Sequence, residues 1–97
     1  MYRLVAMDLD DTLLTDELTV TEATLRALEE AAALGVRLTV ATGRSYRSAK
    51  RIAGRIGLNV PLITYQGSLV KDPRDGTVLY ERFVPRETAR RVYDFCA

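Results

Sequence analysis

Histidine and tryptophan are missing from this 97-residue chain, and cysteine occurs once. Without histidine there is no Ser-His-Asp triad and no histidine-bound zinc. The single Cys96 closes no internal disulfide and has no histidine to activate it, so a buried or incidental thiol is expected. An excess of one charge is lacking too: 14 Lys and Arg against 13 Asp and Glu leave +1. That balance gives no electrostatic case for a nucleic-acid or membrane partner. Long apolar runs are also lacking. The run before Asp8, Leu4-Val5-Ala6-Met7, is too short for a signal peptide or a membrane span, so the expected compartment is the cytoplasm. Gly54 and Gly57 lack a Gly-Lys-Ser/Thr ending, which excludes a nucleotide P-loop. No repeat, low-complexity run or linker is found. Apolar residues make up 47% and charged residues 28%, which fits one soluble globular domain with a modest core.

What is present is concentrated early. Met7-Asp8-Leu9-Asp10-Asp11-Thr12-Leu13-Leu14 follows the short apolar run, which reads as a buried strand. On an extended chain Asp8 and Asp10 point the same way. Two adjacent carboxylates repel unless a divalent cation neutralises them or one stays protonated. Oxygen ligands of this kind suit magnesium. One carboxylate can attack phosphorus while the other handles the leaving-group proton. The competing reading is an ordinary Asp-Asp-Thr turn and helix cap.

The rest of the chain alternates. A first strand spans 4–8 and a loop spans 13–18. Thr21 caps a helix, with Val20 and Leu25 spaced as a staple and Leu25, Leu28 and Ala32 on one face. Gly35 ends it. A second strand spans 36–41. Ser45 caps a second helix whose buried face is Ala49, Ile52, Ala53 and Ile56, and Gly57 ends that one. A third strand spans 61–65. This order implies right-handed crossovers and a parallel sheet. Residues 68–71 and 78–83 flank a turn-rich Asp72-Pro73-Arg74-Asp75-Gly76 and read as an antiparallel hairpin. Pro85 opens a last helix with Ala89, Val92, Tyr93 and Cys96 on one face.

Thr42-Gly43 stands at the same strand edge as Asp8. A hydroxyl, a free backbone N–H and a helix start suit a phosphate, although the pair also reads as a plain strand-to-helix turn. Arg44 is placed to reach a substrate or to be solvated. Arg86, Arg90 and Arg91 read as a solvated helix face, and Tyr2, Tyr46, Tyr80 and Tyr93 as packing residues.

These motifs resemble those of the haloacid dehalogenase-like (HAD) phosphohydrolases. Met7 to Leu14 is similar to their first motif, and Val40-Ala41-Thr42-Gly43-Arg44-Ser45 to their second. Ile63-Thr64-Tyr65-Gln66-Gly67-Ser68 resembles the end of their third strand. The hairpin through Glu81-Arg82-Phe83-Val84-Pro85 is similar to the Cof-type branch, which carries a large cap domain there. The resemblance implies a three-layer, Rossmann-like α/β unit with a parallel sheet, followed by an antiparallel hairpin and a C-terminal helix. Residues 1–84 would form part of a core, and 85–97 the start of a truncated cap segment.

For function, the resemblance implies a magnesium-dependent phosphatase acting on small phosphorylated metabolites. Asp8 would be the nucleophile that becomes an aspartyl phosphate. Asp10 would be the general acid and then base, and its main-chain carbonyl would join the Asp8 carboxylate on Mg2+. Thr12 would hold the loop. Thr42 and Gly43 would bind phosphate and Arg44 substrate. Gln66-Gly67 stands where the family more often carries Asn-Gly, a departure with a longer side chain. The family's phosphate-steadying lysine and later acidic pair have no counterpart: Lys50 lies within the second helix and Lys71 on the hairpin. The chain therefore reads as an N-terminal portion, inactive alone, that self-associates or pairs with a missing C-terminal portion. The alternatives are a phosphomutase of the same superfamily and a non-catalytic phosphate- or magnesium-binding fragment. A receiver-type module would carry its phosphorylated Asp after the third strand, where Tyr65-Gln66 stands.

Overall fold

Backbone pairing of the first strand ends one residue before Asp8. In the computed structural model, which describes residues 1–58 and 60–97, β1 (Leu4–Met7) pairs in parallel with β2 (Arg37–Val40), Leu4 opposite Arg37 and Met7 opposite Val40. Between them runs α1 (Glu22–Ala33). The Thr21 hydroxyl accepts from Thr24 N at 3.2 Å, as a capping residue should. Gly35 takes φ +87° just past its end, which glycine reaches without a Cβ clash. α2 (Tyr46–Arg55) follows β2, capped by the Ser45 hydroxyl accepting from Ser48 N at 3.2 Å.

The third strand, β3 (Leu62–Thr64), turns the sheet from parallel to antiparallel. Its link to β2 is a single parallel bridge, Ala41 to Ile63, supported by Thr39 Oγ1 donating to Pro61 O at 2.6 Å. On its other side β3 pairs antiparallel with β4 (Leu69–Lys71), which pairs with β5 (Val78–Glu81) across the expected turn. α3 (Arg86–Cys96) closes the order, with Pro85 in the capping position. The mixed architecture is the one expected, although each strand is shorter than the sequence reading.

The core lies between the sheet and both central helices. Leu9, Val40 and Leu62 are fully buried, with Ala49, Ile52 and Ala53 of α2 packed against them. Leu28 and Ala31 of α1 join this cluster. The inward α1 residue is thus Ala31, and the expected Ala32 is exposed. The spacing from Leu28 allows either, and the helix's rotation over β2 selects the i+3 position.

One further expectation is corrected. The first strand is not buried: Leu4, Val5 and Ala6 are exposed and Met7 is half-buried, because β2 is the one strand that pairs with β1 among the described residues. Cys96 is exposed, as is every residue from Arg74 to Ala97. The hairpin tip and α3 project from the core, which gives an elongated outline of 49 × 29 × 24 Å. No helix among the described residues is long and apolar enough to cross a membrane.

Candidate active site

Parallel strands bring their C-terminal ends to one edge, and the loops that follow β1, β2 and β3 meet there. Ala41 N donates to Met7 O at 2.8 Å and Thr42 N to Ile63 O at 3.0 Å, so the three strand ends are tied side by side.

Asp8 is the first residue past β1. The chain then leaves the strand in one wide turn, Leu9–Leu13, closed by Leu14 N donating to Leu9 O at 2.9 Å. Asp8 and Asp10 therefore do not share the face of one strand, as the extended reading had it. Asp10 keeps extended angles, but Asp11 takes φ +59°, a left-handed conformation that Asp tolerates better than most residues. This turn folds Thr12 back so that its hydroxyl donates to Asp8 Oδ2 at 3.3 Å, a long bond. The other Asp8 oxygen accepts from Leu9 N at 3.0 Å. Leu9, fully buried between the two acids, anchors the turn in the core.

Asp10 is engaged from the second loop. Arg44 Nε donates to its Oδ2 at 2.8 Å and Nη2 to its Oδ1 at 2.6 Å, a two-pronged charge-assisted pair. Arg44 Nη1 donates to Ser48 Oγ at 2.8 Å. The hydrogen bonds from Arg44 hold the Asp10 carboxyl below the usual carboxylate range, and Asp10 raises Arg44 in return. Thr42 is buried, and its hydroxyl accepts from Arg44 N at 3.0 Å. Gly43 is exposed beside it.

The third loop completes the edge. Tyr65 N donates to Arg44 O at 2.9 Å and Gln66 N to Thr42 O at 3.1 Å. A depression of about 390 Å³ opens here, lined by Asp8, Ala41, Thr42, Gly43, Ile63, Gln66 and Gly67. The residues singled out in the sequence thus converge: Asp8, Thr42 and Gly43 line the depression, and Asp10 and Arg44 pair beside it. Ser48 was not foreseen. It sits one helical turn beyond Arg44, a spacing that could have flagged it.

The donor set suits a hard cation in kind, with the Asp8 carboxylate and main-chain oxygens to offer. Both Asp10 carboxylate oxygens are taken by Arg44, which leaves the Asp10 main-chain carbonyl for that purpose. Among the described residues no three His, Cys, Asp or Glu cluster to hold a metal. Two oxygen donors fit magnesium, which binds few protein groups and keeps several waters.

Similarity to known proteins extends over nearly all of the chain. The family model for haloacid dehalogenase-like hydrolases matches residues 5–97. An HMP-PP phosphatase of Yersinia pestis is 46% identical over 87 residues, which is 90% of this chain and 32% of that protein. The chain thus spans about a third of the length of the curated relatives it matches. A haloacid dehalogenase-like hydrolase from B. subtilis superposes with a TM-score of 0.84 at 27% identity, over 96% of this chain and 32% of its own. A HAD-superfamily protein from Bacteroides thetaiotaomicron, described among phosphatases, gives 0.84 at 25% identity, over 99% and 35%.

Proposed function

Since the chain belongs to the haloacid dehalogenase-like hydrolases, we propose that it supplies the nucleophile and acid/base of a magnesium-dependent phosphatase for small phosphorylated metabolites. The observation that carries this reading is the convergence of Asp8, Thr42 and Gly43 on one polar depression at the ends of parallel strands. Phosphoryl transfer asks for positioning and charge neutralisation above all.

In this reading an Asp8 carboxylate oxygen attacks phosphorus. The bond from phosphorus to the leaving oxygen breaks, and Asp10 gives that oxygen a proton. Water then attacks the aspartyl phosphate while Asp10 takes its proton, and orthophosphate departs. The Thr42 hydroxyl and the Gly43 N–H hold the phosphoryl oxygens. Arg44 approaches the substrate from the Asp10 side, and its hold on both Asp10 oxygens must loosen for that carboxyl to carry the proton. Magnesium, held by Asp8 and the Asp10 carbonyl, would offset the negative charge gathered there.

Two further parts of the proposal concern the chain by itself. Its catalysis is slow, because the depression is lined by no cation. Lys71 lies over the Tyr46 ring at 4.6 Å and Lys50 is exposed on α2. The β1 edge, which pairs with no second strand among the described residues, favours self-association or pairing with further family chain. Residues 85–97 would begin a cap.

Beryllofluoride with magnesium, a phosphoryl mimic, should attach at Asp8 and shift the Thr42 and Gly43 amide signals. Attachment at another carboxylate sinks the assignment. HMP-PP, the compound in the name of the Yersinia relative, belongs in the first substrate panel.

A further inference from the structure

Gln66 sits in a conformation that needs a reason. Tyr65 has φ +48° and Gln66 φ +56°, two consecutive non-glycine residues in the left-handed region. Such strain persists where surrounding bonds over-determine it, and it gathers at functional sites. Here the bonds come from the second loop, through Tyr65 N to Arg44 O and Gln66 N to Thr42 O. Ser68 adds two more, its N and Oγ both donating to Tyr65 O, at 3.1 and 2.9 Å.

The consequence is a close approach. The Gln66 carboxamide lies over Gly43, in the space that a Cβ on residue 43 would occupy. Gly43 does not have a positive φ, so its lack of a side chain serves this approach rather than a special turn. Among the described residues the side-chain hydrogen bonds of this edge run through Asp8, Thr12, Thr42, Arg44, Asp10 and Ser48, and Gln66 has no share in them. Gln66 is exposed and lines the same depression as Asp8 and Thr42. A strained backbone has thus carried an unpaired pair of N–H donors to the rim of the depression that Asp8, Thr42 and Gly43 line.

We infer that Gln66 is a further binding residue, donating from Nε2 to an oxygen of the phosphoryl group held by Thr42 and Gly43. This inference rests on the phosphatase reading of that depression. A carboxamide suits the place chemically. It donates to an anion, and being uncharged it neither repels Arg44 nor competes with it for Asp10. It also adds a donor on a chain whose depression is lined by no cation.

Gln66 is the single glutamine of the chain, so its side-chain NH2 signals can be assigned in a 15N spectrum by selective labelling. Inorganic phosphate is titrated into the full 97-residue chain in magnesium chloride buffer. The Gln66 NH2 pair should move together with the Thr42 and Gly43 amides. Gln66→Met, close in shape but without donors, should weaken phosphate about tenfold, as loss of a hydrogen bond to a charged group does. Gln66→Asn keeps the amide and a residue that tolerates the left-handed backbone, and should retain part of the affinity. An unchanged dispersion of amide signals certifies the fold of each variant. Movement of Thr42 and Gly43 with a still Gln66 pair, and a Gln66→Met affinity within twofold of the parent, overturns this inference and leaves the phosphatase reading intact. No movement at Thr42 and Gly43 overturns both.

Discussion

Arg44 grips both carboxylate oxygens of Asp10, a residue 34 positions earlier, at 2.8 and 2.6 Å. The pair ties the loop after β2 to the turn after β1. It also sets a tension in the site: the group read as the proton donor is held ionised by its neighbour, and must be freed or re-paired when a leaving group arrives.

Arg44→Gln should let the Asp10 carboxyl titrate at a higher pH, back toward its ordinary range, as followed by carboxyl 13C shifts. The folded chain holds this group low, so the pair stabilises the fold above the ordinary carboxylate range. That contribution fades as pH falls through the lowered value. Arg44→Lys should restore only part of the effect, since an ammonium cannot match two oxygens at once. An unmoved Asp10 titration in Arg44→Gln would show that the pair does not persist in solution.

Leu9→Ala should cost about 2–5 kcal/mol in urea unfolding, the usual range for emptying a fully buried leucine site. Because Leu9 separates the two acids of the motif, the variant should also broaden the Asp8 and Asp10 signals. A loss under about 1 kcal/mol would mean that the turn is not anchored through this side chain.

Thr42→Val should cost about 1–3 kcal/mol, because Arg44 N loses its hydroxyl acceptor at a buried position. Thr42→Ser keeps the acceptor and should come within about 1 kcal/mol of the parent. Equal stabilities for Val and Ser, measured by the same unfolding assay, would remove the hydroxyl from the account of this loop.

Gly43→Ala should change stability by under about 0.5 kcal/mol, yet displace Gln66. The atoms that a new Cβ would meet are the far end of an exposed, flexible side chain, which can swing aside cheaply. The expected mark is a shifted Gln66 NH2 pair in an otherwise conserved spectrum. A large stability loss would instead show that the carboxamide is held rigidly.

For turnover, the purified chain should hydrolyse a generic aryl phosphate at least about 100-fold more slowly than complete family members, the typical consequence of losing one preorganised charge contact. Asp8→Asn should remove whatever magnesium-dependent rate remains. A rate near that of complete members, abolished by Asp8→Asn, would show that the site needs fewer parts than argued.

Much of this molecule is settled by interactions a few residues long, and those were legible. Thr21 and Ser45 cap their helices by bonds to the third residue on, and Gly35 and Gly57 stop them by adopting positive φ. The spacing of Ala49, Ile52 and Ala53 fixes the buried face of α2, and the Asp8 motif stands directly after the apolar strand β1. What the sequence could not show is what depends on distant partners. The continuous apolar run Leu4–Met7 looks like a buried strand, but burial needs neighbours on both sides, and β1 pairs with one among the described residues. The wide turn that separates Asp8 from Asp10 depends on Leu9 finding the core. Arg44 meeting Asp10, and Gln66 lying over Gly43, each require loops from different strands to arrive at one edge. Local propensity acts within a helical turn, whereas these contacts exist only once the sheet has brought three strand ends together.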